Sequence, residues 1–110
     1  MDSFEIGQIE KRRSESGEAY LEFFRIPQLS LGVYKLRAGE KDTQTPHRED
    51  EVYYCVSGRG QIQVAGEDRP VQRESVIFVA AEAKHHFHSI TEDPTLLVFF
   101  APAEGTVRER

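Results

Sequence analysis

The residues best equipped for chemistry stand in one stretch, Pro46-His47-Arg48-Glu49-Asp50-Glu51. A histidine and three acidic side chains come in quick succession, and the apolar run Val52-Tyr53-Tyr54-Cys55-Val56 follows at once, closing on Ser57-Gly58. Imidazole nitrogens and carboxylate oxygens are donors for divalent transition metals. A second group, His85-His86-Phe87-His88, lies well downstream, after another apolar run. The two groups read as halves of one metal site inside a small β-barrel.

Spacing says how such a site must be built. In an extended strand His47 and Glu51 share a face but stand roughly 13 Å apart. Donors to one metal must each lie about 2 Å from it. The chain must therefore bend through Arg48-Glu49-Asp50, with Pro46 favouring an extended approach. His85 would come from a distant strand as the third ligand. Two histidines and one carboxylate leave open positions for water, substrate or dioxygen. His86 and His88 have the opposite parity from His85 and are expected to point outward.

Parity also outlines a pocket. If Glu51 points inward, Tyr53 and Cys55 share its face, and Phe87 shares that of His85. With Phe78 these make an apolar, aromatic lining of the kind that receives small molecules. Cys55 reads as a small buried hydrophobe, since no base or cation neighbours it in sequence. No Ser-His-Asp or Cys-His arrangement stands out, and Ser57-Gly58-Arg59-Gly60 reads as a tight turn. No helix follows it to cradle a phosphate.

The elements that must position these groups are short apolar and β-branched runs. Candidate strands cover residues 4–9, 19–26, 29–37, 51–56, 60–64, 75–79, 85–90 and 95–100, with turns at Ser16-Gly17, Ala38-Gly39, Ser57-Gly58, Ala65-Gly66-Glu67-Asp68 and Glu92-Asp93-Pro94. Many short strands without a long helical period predict an all-β sandwich or barrel. Gln61 and Gln63 alternate with Ile62 and Val64, so that strand has one wet face. Val76-Ile77-Phe78-Val79 and Leu96-Leu97-Val98-Phe99-Phe100 are apolar at every position, and such strands need cover on both faces. A small chain has few layers to provide it. The expectation is a homodimer that buries an outer sheet face, with strand 4–9 at its interface. Residues 103–110 read as a polar, frayed tail.

Bulk properties narrow the function classes. At 110 residues the chain is expected to be one domain, its core spanning about 19–102. The net charge of −5, with basic residues scattered, lacks the electrostatic footprint of a nucleic-acid binder. No apolar run approaches bilayer length, and the N-terminus lacks a signal-peptide pattern. A single cysteine fits a reducing compartment, so a cytoplasmic location is expected.

The first stretch resembles the first motif of the cupin superfamily, Gly-x5-His-x-His-x3,4-Glu-x6-Gly. Gly39, His47, Glu51 and Gly58 fall in register, but Thr45 stands where the first histidine belongs. Residues 74–89 resemble the second motif, Gly-x5-Pro-x-Gly-x2-His-x3-Asn, with His85 at the ligand position and Glu74, Ala80, Glu82 and Ser89 replacing the turn residues. The resemblance covers roughly residues 29–101 and is to small single-domain bacterial cupins. It implies a double-stranded β-helix, or jelly-roll barrel, and a divalent Fe, Mn, Ni or Zn ion on His47, Glu51 and His85. Glu49 is the candidate to fill the place left by Thr45. The resemblance further implies a dioxygenase-like oxidoreductase acting on a small organic molecule. The alternatives are a non-catalytic dimeric module that binds a metal or small ligand, and a structural barrel without metal.

Overall fold

The computed structural model describes residues 1–40, 42 and 46–107. Its elements are α1 (Ile6–Ser16), β1 (Tyr20–Ile26), β2 (Leu29–Lys35), β3 (Asp50–Val64), β4 (Glu67–Gln72), β5 (Val76–Val79) and β6 (His85–Ala101). All strand pairings are antiparallel, in the order β1-β2-β6-β3-β4, with β5 also on β3. This is an all-β barrel, as the strand pattern predicts, in the jelly-roll form that the family resemblance implies.

Two long strands build the barrel. The first half of β3 lies between β5 and the end of β6, and its second half lies between β4 and the start of β6. Between the halves the pairing slips three times, from Cys55 to Gln61. Bulges bend a strand and increase its twist, so one chain segment serves both layers. Ser57-Gly58 is therefore not a turn between strands, as its composition predicts, but a bulge within one strand. Gly58 has φ +98°, and a β-carbon there would run into the Pro94 backbone. On β6 a similar adjustment falls at Ser89, with φ +50°, and moves the buried parity from Phe87 to Ile90.

The interior alternates as the period of two requires. Glu51, Tyr53 and Cys55 of β3 are buried, as are Leu96, Val98 and Phe100 of β6. Ile62, Val71, Val79 and Phe87 complete most of the core.

Three elements differ from the sequence reading. Residues 4–9 do not form a strand. Helix formers continue through Glu10-Lys11-Arg12-Arg13, Glu10 and Arg13 pair at 2.8 Å, and Gly17 ends the helix in the left-handed region. Helix α1 buries Ile9 and packs on β1 and β2. Strand β4 is absent from the predicted strands: Glu67 and Asp68 read as part of a turn, and residues 69–72 carry no assignment. Its Pro70 is tolerated because the strand lies at the sheet edge. The tail is not frayed through residue 107: Ala103 is fully buried, and Ala103 N–H donates to Pro27 O.

The outer face of the sheet carries two apolar rows across five strands. One runs Phe78, Val52, Phe99, Leu31, Phe24, and the other Val76, Tyr54, Leu97, Val33, Leu21. The β1–β2 end is covered, with Phe4 packed edge-on against Phe23 and Phe24. The β5 end is open, and Val76 and Phe78 are 67% and 61% exposed.

Candidate metal centre

Three elements deliver three donors to one point in the interior. Glu51 is the second residue of β3, on its inward face, and His85 opens β6. His47 lies in the loop before β3. Two hydrogen bonds lock this loop against the segment before β6: Glu82 N–H donates to His47 O (2.6 Å), and Ala81 N–H donates to Asp50 Oδ1 (2.8 Å). Asp50 is thus a loop clamp and not a ligand. The bend that the spacing demands is held by the opposite loop.

One donor atom from each of His47, Glu51 and His85 lies within 4.8 Å of the others. His85 Nδ1 is 2.9 Å from Ala83 O, so the proton belongs on Nδ1 and the Nε2 lone pair is free. Nε2 stands 3.3 Å from Glu51 Oε1, and both side chains are 1% exposed. That approach lacks hydrogen-bonding geometry, and neither atom has a partner among the described residues. Buried polar atoms without partners are costly, and here a nitrogen and an oxygen are left bare side by side. A divalent cation satisfies both, so the donor set fits a metal. Burial pushes the His85 pKa down, but the Glu51 carboxylate, the Ala83 carbonyl and Asp42 outweigh it and raise the value above the usual histidine range.

The walls are aromatic. The His47 ring packs edge-on to Phe100 at 4.8 Å, and Tyr53 lies 6.2 Å from His85 and 5.0 Å from Phe87. Tyr53 and Cys55 are wholly buried, so they are core supports of the site and not an accessible lining. Burial raises the Cys55 thiol pKa, and its Sγ donates to Ser57 O. Phe78 does not join this interior. It alternates with the inward Val79 and Ile77 and stands at the rim of an open cleft with Ile62, Val64 and Ala83.

Glu49 is corrected as well. It is buried, but among the described residues the converging set is His47, Glu51 and His85. Glu49 Oε2 instead accepts the Val107 N–H at 3.0 Å. The turn brings it against the tail, outside the set of donors that converge. Thr45 lies outside the described residues. His86 and His88 stack 5.5 Å apart, and His88 Nε2 meets Asp68 at 2.6 Å. They are half-buried rather than interior.

Two acidic residues near the site carried no sequence signal. Asp42 is buried and accepts from Phe87 N–H (2.8 Å) and Tyr34 O–H (3.1 Å). Glu104 Oε2 lies 3.5 Å from His47 Nδ1. Burial raises the Glu104 pKa, with His47 opposing and Glu22, Glu51 and Glu49 adding to it. Neither residue belongs to a periodic run, so only the fold reveals it.

Comparison with known proteins gives the family and the fold. The family described as Cupin domain matches residues 32–101. An uncharacterized protein of Streptomyces coelicolor is 45% identical over 105 residues, covering 96% of this chain and 100% of that protein. Among solved structures, the TT1209 protein of Thermus thermophilus superposes with a TM-score of 0.72 at 21% identity, over 94% of this chain and 99% of that one. An RmlC-like cupin from Shewanella frigidimarina superposes at 0.69 with 20% identity, over 76% and 75% of the two chains.

Proposed function

The chain belongs to the cupin family, and from that premise we propose that it is a metal-dependent, dioxygenase-like oxidoreductase of a small organic molecule. The observation that carries this reading is the pair of bare buried donors, Glu51 Oε1 and His85 Nε2, with His47 beside them. Fe, Mn, Ni and Zn all suit a two-histidine, one-carboxylate set. Bound there, such a metal supplies Lewis acidity and, if iron, redox chemistry with dioxygen. The protein's own contributions are local. Ala83 O holds the His85 tautomer, Phe100 packs the His47 ring, and the aromatic wall excludes water from one side. The lone buried Cys55 fits a cytoplasmic setting.

The second reading is a binding module without catalysis, favoured by Thr45 at the place of a usual ligand. Oxygen uptake separates the two. The Fe(II)-loaded protein is offered a panel of small carboxylic acids and phenols. Uptake that depends on one of these compounds is the expected result, and stoichiometric metal without uptake would leave the module.

We also infer a homodimer, formed on the open end of the apolar rows. Val76 and Phe78 are large, exposed and continuous with half-buried Val52, Tyr54, Leu97 and Phe99. Contiguous apolar patches of this kind mark association surfaces. Light scattering is expected to give twice the 12.6 kDa chain mass, with Phe78→Asp shifting it to one chain. A wild type that runs as a single chain at micromolar concentration would overturn the dimer.

A further inference from the structure

We propose that Glu104 is a positioning residue of the metal centre, its carboxylate accepting from His47 Nδ1–H so that Nε2 faces the ion. This rests on the metal reading of His47, Glu51 and His85 given above. Ligand histidines commonly donate their second ring N–H to a carboxylate, which fixes the ring and raises its basicity. His85 already has such a partner in Ala83 O, and Glu104 is the corresponding group for His47. Its Oε2 stands 3.5 Å from Nδ1, and Phe100 packs edge-on against the same ring at 4.8 Å.

The placement is built rather than incidental. Glu104 N–H donates to Ser30 Oγ (3.0 Å), a residue with no exposed surface. Glu104 O accepts from the Arg25 guanidinium (2.7 Å). Before it, Ala103 N–H donates to Pro27 O (3.2 Å) and Ala103 is fully buried. After it, Gly105 turns the chain with φ +78°, and Val107 N–H reaches Glu49 Oε2 (3.0 Å). The tail is thus a strap fastened on both sides of one acidic side chain. It lies beyond residue 101, where the family match ends. Glu49 takes a different part from the one its spacing suggests. It does not replace a ligand but fastens the strap that carries Glu104.

The test uses Co(II) on the full-length protein, with affinity from chelator competition and geometry from the visible absorption bands. Glu104→Ala is expected to weaken Co(II) binding by about 10- to 100-fold and to shift the bands, with Glu104→Gln intermediate. Arg25→Met cuts one anchor of the strap but keeps the carboxylate, and should move affinity by less than about threefold with wild-type bands. Wild-type affinity and bands in both Glu104 variants would overturn the proposal while leaving the metal site standing. Equal losses in Glu104→Ala and Arg25→Met, with unchanged bands, would reduce Glu104 to a structural part and also overturn it. If the wild type takes up no Co(II), the metal reading fails and this inference fails with it.

Discussion

His85→Ala is expected to purify with less than about a tenth of the wild-type metal content, since losing a ligand or its support costs 10- to 100-fold or more in affinity. Three side chains are placed to hold an ion, and among the described residues they are the set that converges. Removing the β6 donor leaves Glu51 facing an empty space that its own oxygen cannot fill. Two controls sharpen the result. Glu49→Gln should keep its metal, because that carboxylate is committed to the Val107 N–H. His86→Ala should keep it too, because His86 lies on the other face of β6. Elemental analysis by mass spectrometry reads all three, and full metal in His85→Ala would sink the ligand assignment.

Acid should mimic that substitution reversibly. His85 must be neutral to bind, and its pKa lies above the ordinary 6.5, so protons compete from a higher pH than at an isolated imidazole. Metal is therefore lost as pH falls through the raised value. The metal-free protein has the opposite linkage. Protonated His85 contributes stability that is fully present below 6.5 and is lost as pH rises through the raised value. Melting temperatures of the loaded and stripped proteins should thus slope in opposite directions across this window.

Gly58→Ala is expected to destabilise the fold by about 3 kcal/mol or more, a fall of roughly 15 °C in melting temperature. Two costs combine there. The backbone sits at φ +98°, where an L side chain is strained. A β-carbon would also stand 2.5 Å from Asp93 O and 2.7 Å from Pro94 N, and closer still to Pro94 Cα. These atoms belong to β6, so relief requires the two longest strands to part. Gly17→Ala isolates the first cost, because φ is +78° but nothing lies within 4 Å. It should lose only about 1 kcal/mol. Chemical denaturation checks both, and equal losses would refute the close strand contact.

Gly58 also shows how a motif can be legible while its reason is not. The Glu-x6-Gly spacing is visible in the sequence, and a turn is the natural local reading of Ser57-Gly58-Arg59-Gly60. The structure uses the same glycine to let β6 pass against a bulged β3. Glu74 and Glu82 make the complementary point. They replace motif glycines, yet their backbones stay at φ +74° and +65°. The turn is imposed by the strands it joins, and the side chain tolerates it.

Alternation, turn chemistry and donor types are local properties, and the sequence alone determined what depends on them. That comprises the antiparallel barrel, the inward parity of Glu51, Tyr53 and Cys55, the choice of His85 over its neighbours, and the family. The misread elements failed where a local signal was ambiguous. Residues 4–9 alternate like a strand, but the helix formers after them set the period. Pro70 argues against a strand unless the edge is known. Phe78 shares the composition of the interior aromatics, and only its pairing with Val52 puts it outside. What tertiary structure alone decided is which acidic side chains meet the histidines. Glu49 and Glu104 are separated by 55 positions and carry no periodic mark, and where each comes to lie depends on barrel closure. Closure brings the tail back over the β3 loop, and that contact exists only once every strand between them has paired.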